Sequence, residues 1–218
     1  MKVVKYLFFV SIVFLTSCLT IIEKYTLNAD GSGTMEYIFD MSELYEMLQM
    51  YGSDSTLEAM NANELFEENL PELEKVNGIT NVRLTGDQEK YIFGLAFDFS
   101  DEESLNKAMQ VLVTDETSDQ PKTFISIKRK KMVRYGDIGR NLNMDEFMGG
   151  GEEDIDPEML KEMLTGMKYK LVFKTPGKVK KVITASESEI LESGEAVVTS
   201  DFYTLSKENG KMETTVKF

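Results

Sequence analysis

The chain predicts an α+β fold: a mostly antiparallel sheet with helices on one face and a helical insertion. Two observations carry that prediction. Short runs with apolar residues at every second position recur along the chain, and Gly-, Asn- or Asp-containing turns divide them. One block also reads strand, strand, helix, strand, which is the order of a sheet with helices packed to one side.

The elements follow in order. Ile21 to Ala29 alternates imperfectly, Asp30-Gly31-Ser32-Gly33 supplies a turn, and Thr34 to Met41 alternates through Met35, Tyr37, Phe39 and Met41. That pattern predicts a β-hairpin. Residues 28–33 faintly resemble a calcium loop, yet they lack the spaced acidic ligands and closing Glu of one. Asp40 or Ser42 can cap a helix running to about Tyr51, with Leu44, Met47 and Leu48 on its apolar face. Ser55-Thr56-Leu57-Glu58 has the form of a capping box, and Pro71 suits the start of a further helical turn. A helical insertion over about 42–76 is therefore expected.

The next block is the clearest. Ile79 to Thr85 and Tyr91 to Phe99 read as strands, the second alternating through Phe93, Leu95, Phe97 and Phe99. Ser100 with Glu103 has the capping-box spacing, and Leu105, Ala108, Met109 and Leu112 form one helical stripe. Thr123 to Tyr135 is expected to return as one strand. Between Gly136 and Pro157 the pattern dissolves around Gly149-Gly150-Gly151, predicting a flexible surface excursion over about 136–157. A helix capped by Asp156 follows, with Met159, Leu160, Met163, Leu164 and Met167 on its apolar side. Tyr169 to Phe173, Val179 to Ala185, Glu189 to Leu191, Ala196 to Leu205 and Met212 to Phe218 are strand candidates for a meander-like end of the sheet.

The N-terminus has a different character. Lys2 and Lys5 precede an uncharged apolar run from Tyr6 to Leu15, and small residues close it before Cys18. That is the order of a secretory signal. Its run of about ten residues makes about 15 Å of helix, whereas a spanning helix needs roughly twenty residues. Leu15-Thr16-Ser17-Cys18 resembles the lipobox of bacterial lipoproteins. The resemblance implies lipid on the Cys18 thiol, removal of residues 1–17 as a signal peptide, and a mature chain of residues 18–218 read as a single envelope domain. One acyl chain holds a membrane reversibly, whereas two or more hold it stably. In enteric members an Asp after the cysteine tends to retain the protein at the inner membrane. Leu19 therefore points to the outer membrane; the residues leave both sides of it open, and the periplasmic side is the expected one.

Composition narrows the function. The formal charge is −14, and losing Lys2 and Lys5 makes it −16 for the mature part. Such a chain is repelled by phosphate backbones, so nucleic acid is not an expected partner. There is no histidine, which excludes Ser-His-Asp triads, Cys-His pairs and histidine metal sites. The one cysteine is assigned to lipid. No catalytic residue, metal site or cofactor is predicted.

Three features are candidate sites. Met159, Met163 and Met167, grouped with Met144 and Met148, can form an adaptable apolar surface, although core packing is the plainer reading. Glu152, Glu153, Asp154, Asp156 and Glu158 are acidic but lack loop-like ligand spacing. Lys128, Arg129, Lys130 and Lys131, followed by Arg134 and later by Lys178, Lys180 and Lys181, would form a positive stripe if their strands lie side by side. Such a stripe suits phosphate headgroups, or it decorates an exposed sheet edge.

The run Tyr169-Lys170-Leu171-Val172-Phe173-Lys174-Thr175-Pro176-Gly177-Lys178-Val179, with the preceding strand-strand-helix-strand block and the lipobox, resembles the LppM-type group of bacterial lipoproteins. That resemblance implies an α+β domain facing the envelope space and engaging lipids or envelope glycolipids. The acidic helical stretch between Ser42 and Val76 departs from the group. The expected protein is thus a lipid-anchored, non-catalytic envelope protein that binds a lipid or a protein partner. A purely structural lipoprotein is the alternative, and a carboxylate-based hydrolase is the rival from another class.

Overall fold

Side-chain alternation decides the first hairpin, because successive residues of a strand face opposite ways. The computed structural model describes residues 19–50, 64–113, 123–136, 157–207 and 212–218. In it β1 (Thr20–Leu27) sends Ile21, Glu23, Tyr25 and Leu27 inward and pairs antiparallel with β2 (Gly33–Asp40), from Thr20↔Asp40 to Leu27↔Gly33. Gly31 turns the chain at φ +93°, and the Asp30 carboxylate accepts the N–H and O–H of Ser32. A Cβ on Gly33 would fall 2.1 Å from the Thr26 carbonyl oxygen, so this close approach needs glycine.

Two sheets form, where the sequence predicted one. The larger has seven strands and adds β3 (Ile79–Asp87), β4 (Ile92–Phe99), β7 (Lys168–Lys174), β9 (Glu187–Ile190) and β10 (Ala196–Asp201). Its order is β3-β4-β2-β1-β7-β10-β9. The β1–β7 pairing is parallel and the others are antiparallel. The smaller sheet has the order β5-β6-β11-β8, from β5 (Ile125–Lys128), β6 (Lys131–Arg134), β8 (Lys181–Ile183) and β11 (Thr214–Lys217), all antiparallel. The expected meander is therefore divided, with its strands shared between the two sheets.

Helices complete the core. They are α1 (Ser42–Met50), α2 (Glu64–Glu67), α3 (Leu70–Glu74), α4 (Glu102–Val113), α5 (Pro157–Gly166) and α6 (Phe202–Lys207). On α4 the predicted stripe is real: Leu105, Ala108 and Met109 are fully buried. Tyr37 and Phe39 of β2 meet Phe66 of α2 edge-on. One apolar cluster joins these helices to both sheets. The insertion begins as expected, with α1 after Asp40, whose carboxylate accepts from Ser42. The capping box expected at residues 55–58 lies outside the described residues, as does 137–156 of the expected excursion.

Three local expectations need correction. The single strand over 123–135 is a hairpin, because the chain reverses at Arg129-Lys130 and pairs Lys128 with Lys131. The strand expected to reach Leu205 stops at Asp201, whose carboxylate accepts the N–H and O–H of Thr204 and starts α6. The α4 cap moves by one residue. Asp101 accepts the Ser104 N–H at 2.8 Å and Ser104 returns a bond to the Asp101 N–H, while Glu103 instead pairs with Lys107. Asp is as good a cap as Ser, so the pattern held two frames.

Candidate functional site

The break in the β1 alternation marks an unusual position. Glu23 stands on the inward face between Ile21 and Tyr25 and is 1% exposed. Burying a lone carboxylate is strongly unfavourable, so it must be paired and hydrogen-bonded. Arg134 supplies the partner from β6, across the gap between the sheets, and is 2% exposed. Its Nε donates to Glu23 Oε2 and its Nη2 to Oε1, both at 2.8 Å. The Tyr25 hydroxyl donates to Oε2 and the Tyr169 hydroxyl to Oε1. The Arg134 Nη1 donates to the Tyr135 carbonyl.

Each carboxylate oxygen thus accepts two bonds, and none of its acceptor capacity is free. Burial alone would raise the Glu23 carboxyl, but the Arg134 charge and the four donors outweigh it and hold it below the ordinary value. Burial, then the Glu23 charge, push the Tyr25 and Tyr169 hydroxyls well above the usual phenol range. Tyr37 is raised for the same two reasons. This cluster is sealed, charged and saturated. It offers no access for a substrate and no proton to exchange near neutral pH; what it does is fix how the small sheet sits on the large one. The sequence reading grouped Arg134 with the exposed basic stripe. That placement is corrected: Met132 and Arg134 face inward, and Lys131 faces outward.

The outward face of the small sheet carries the second arrangement. The pairings Lys128↔Lys131, Lys131↔Lys217 and Lys217↔Lys181 set four lysines side by side, one on each strand. Lys128, Lys131, Lys181 and Lys217 are all exposed. Arg129 and Lys130 lie in the β5–β6 turn, and the Lys180 N–H donates to the Lys217 carbonyl. Among the described residues none of these side chains forms an ion pair. Lys217 is the member the sequence reading missed. Its place at the end of a short alternating run hinted at a strand, but nothing local revealed which strands would flank it.

The basic row stands far from the N-terminal end of the fold. β1 runs away from Leu19, so Leu27, Gly33, Phe99, Lys174 and Ala196 mark the opposite end of the large sheet. There the Val179 N–H donates to the Gly194 carbonyl, two residues before β10 begins. On the other side Glu102, three residues past Phe99, accepts from the Ile127 N–H. Eight strand residues at about 3.3 Å each put about 25 Å between the two ends. Lys128 and Lys131 thus stand toward the end of the large sheet opposite Leu19.

The other candidates divide. Cys18 lies outside the described residues, but Leu19 beside it is 3% exposed and its carbonyl accepts the Lys168 N–H at 2.8 Å. Met167 is past the end of α5 and 2% exposed, with its carbonyl accepting from Phe202. Met163 is half-buried. Met35, Met41, Met109, Met132 and Met212 are also buried, so methionine among the described residues is largely a core residue; the Met159 side chain lies outside the described ones. Of the acidic cluster, only Glu158 is described, exposed on α5. Among the described residues no group of acidic side chains could hold a metal ion, and no helix is long and apolar enough to cross a membrane. A polar groove of about 280 Å³ runs along β9 and β10, lined by Glu187, Ser188, Glu189, Val197 and Thr199. Its two glutamates are solvated, with no buried partner.

No family model matches the chain, and no curated protein matches it. Among solved structures it is similar to the folded domain of the Mycobacterium tuberculosis LppM protein, at 12% identity and a TM-score of 0.42, covering 94% of this chain and 92% of that one.

Proposed function

We propose that this chain is a lipid-anchored, non-catalytic protein of the bacterial envelope, held at the outer membrane through Cys18 and binding its partner on its surface. The observation that supports this is the absence of any slack between anchor and fold. Leu19 is buried and bonded into the sheet, so lipid on the neighbouring residue would fix one end of β1 at the bilayer. The lipobox residues Leu15-Thr16-Ser17-Cys18 supply the modification, and the apolar run before them is short for a span. The burial of Leu19 also gives that residue a packing role apart from membrane sorting. The non-catalytic reading rests on the saturated state of Glu23 and on the solvated acids of the groove.

The test is metabolic labelling with a fatty-acid probe in cells expressing the full chain and Cys18→Ala. The full chain should take up label, migrate without residues 1–17 and fractionate with the outer membrane. Cys18→Ala should lose the label. An unlabelled full chain that keeps its first seventeen residues would refute the proposal.

A further inference from the structure

The row of four lysines calls for an explanation that aggregation control does not supply. Like charges directly opposite on neighbouring strands are destabilising, and the row holds three such pairs in succession. Lysines that block edge-to-edge pairing belong on edge strands. That role accounts for Lys128 on β5 and Lys181 on β8, but Lys131 and Lys217 stand on β6 and β11, the two inner strands. The chain holds 38 Asp and Glu against 24 Lys and Arg, so an acid at either inner position would have been unexceptional.

The shape of the row narrows the ligand. Neighbouring strands are about 4.8 Å apart, so the four lysines span about 14 Å in a line. The next outward-facing row is Ser126, Val133, Thr215 and Ile183 and carries no charge. The basic strip is therefore one residue wide across the sheet, prolonged at its rim by Arg129 and Lys130 of the β5–β6 turn and by Lys180, whose N–H donates to the Lys217 carbonyl. A flat anionic bilayer would be met better by a broad patch, whereas a linear chain of phosphates matches a line of cations. The opposite end of the large sheet supplies a contrast. Its first row reads Asp87, Ile92, Asp40, Thr20, Lys168 and Asp201.

We propose that Lys128, Lys131, Lys217 and Lys181 form a binding site for a linear phosphate-bearing polymer, laid across the strands of the small sheet; the net charge of −14 opposes such a ligand at long range, and the four adjacent lysines offset it locally, where salt screens the distant acids. The direction in which the site is offered, away from the bilayer, rests on the anchored reading above; the binding does not. Fatty-acid labelling and polymer binding can each fail alone, so the two proposals are separable.

The experiment measures binding of long-chain sodium polyphosphate to the full-length protein in neutral detergent, over a salt series. Orthophosphate and vesicles of phosphatidylglycerol serve as parallel probes. The native chain should bind the polymer well above orthophosphate and above the vesicles. Lys131→Gln with Lys217→Gln should weaken polymer binding about tenfold or more and lower the salt slope by about 1–2, because each lysine that meets a phosphate releases a counterion. Both residues are exposed, and a thermal midpoint at or above that of the native chain will show that the variant folds. Lys90→Gln, which removes a lysine paired with Asp87 elsewhere on the surface, should leave binding unchanged. Equal weakening by Lys90→Gln, no effect of the double substitution, preference for vesicles, or no polymer binding would each overturn the proposal.

Discussion

Lys131 and Arg134 begin and end the same four-residue strand, yet they live in opposite surroundings. Arg134 faces inward, is 2% exposed and meets a carboxylate through two parallel bonds. Lys131 faces outward between two other lysines. The inner cation is stabilised by its partner and would be expensive to strand, whereas the outer ones repel each other weakly through solvent. The comparison teaches that a charge on a strand is interpreted by the face it occupies. Period two sends the same kind of side chain to a lock between sheets or to a site at the surface.

The sharpest way to break this comparison is to strand one member of the buried pair. Arg134→Met alone should lower unfolding free energy by about 3–5 kcal/mol, because it leaves Glu23 buried and unpaired. Glu23→Leu combined with Arg134→Met should recover most of that loss. Urea midpoints of the two singles and the double will decide. Singles that cost no more than a surface substitution would show the pair is not the lock described.

Tyr169→Phe should cost less, about 1–3 kcal/mol, because Glu23 keeps three of its four donors. The same urea series measures it. A loss as large as that of Arg134→Met would mean that the phenol, and not the guanidinium, governs the site.

The pH dependence sharpens the same point from both sides. The folded Glu23 carboxyl is lowered from 4.5, so its contribution is present above that value and fades as pH falls through the lower folded value. The Tyr25, Tyr37 and Tyr169 hydroxyls are raised from 10.0, so their contribution is present below pH 10 and fades as pH rises further. In an alkaline absorbance titration, Tyr25, Tyr37 and Tyr169 should ionise only as the fold opens. All phenols titrating together in the folded chain would contradict it.

The smallest effect belongs to the outer row. Lys131→Gln or Lys217→Gln should raise stability by about 0.2–1 kcal/mol by relieving cross-strand repulsion. The gain should shrink in high salt, where exposed charges are screened. A loss of stability on either substitution would mean that these lysines support the sheet.

Much of the fold was legible because its signals are local. The hairpin of β1 and β2, the alternation of β4 and the stripe of α4 each depend on residues close in sequence. The errors lie where a short signal had two readings. Asp101 and Ser100 both cap well, Asp201 can end a strand or begin a helix, and four basic residues can continue a strand or turn it. The lysine row was half visible, as two basic stretches whose juxtaposition was conditional on pairing. Lys217 and the inward turn of Arg134 needed the pairing itself.

Glu23 shows the same limit from within. Its position among Ile21, Tyr25 and Leu27 put a carboxylate on a buried face, and that much could be read from period two. Its partner lies 111 residues further along the chain and on another sheet, and no periodicity spans such a distance.

What the amino-acid order determined by itself is the class of fold, most of its elements, the lack of histidine and the lipobox-like run before Leu19. These follow from side-chain spacing and residue type, which act within a few positions. Only the tertiary structure decided that there are two sheets, that Arg134 is locked inside while Lys131 stands outside, and that four lysines share one line at the end of the molecule away from Leu19. Those outcomes depend on which distant strands become neighbours. That choice is made by burying apolar surface across the whole chain at once, not by any local pattern.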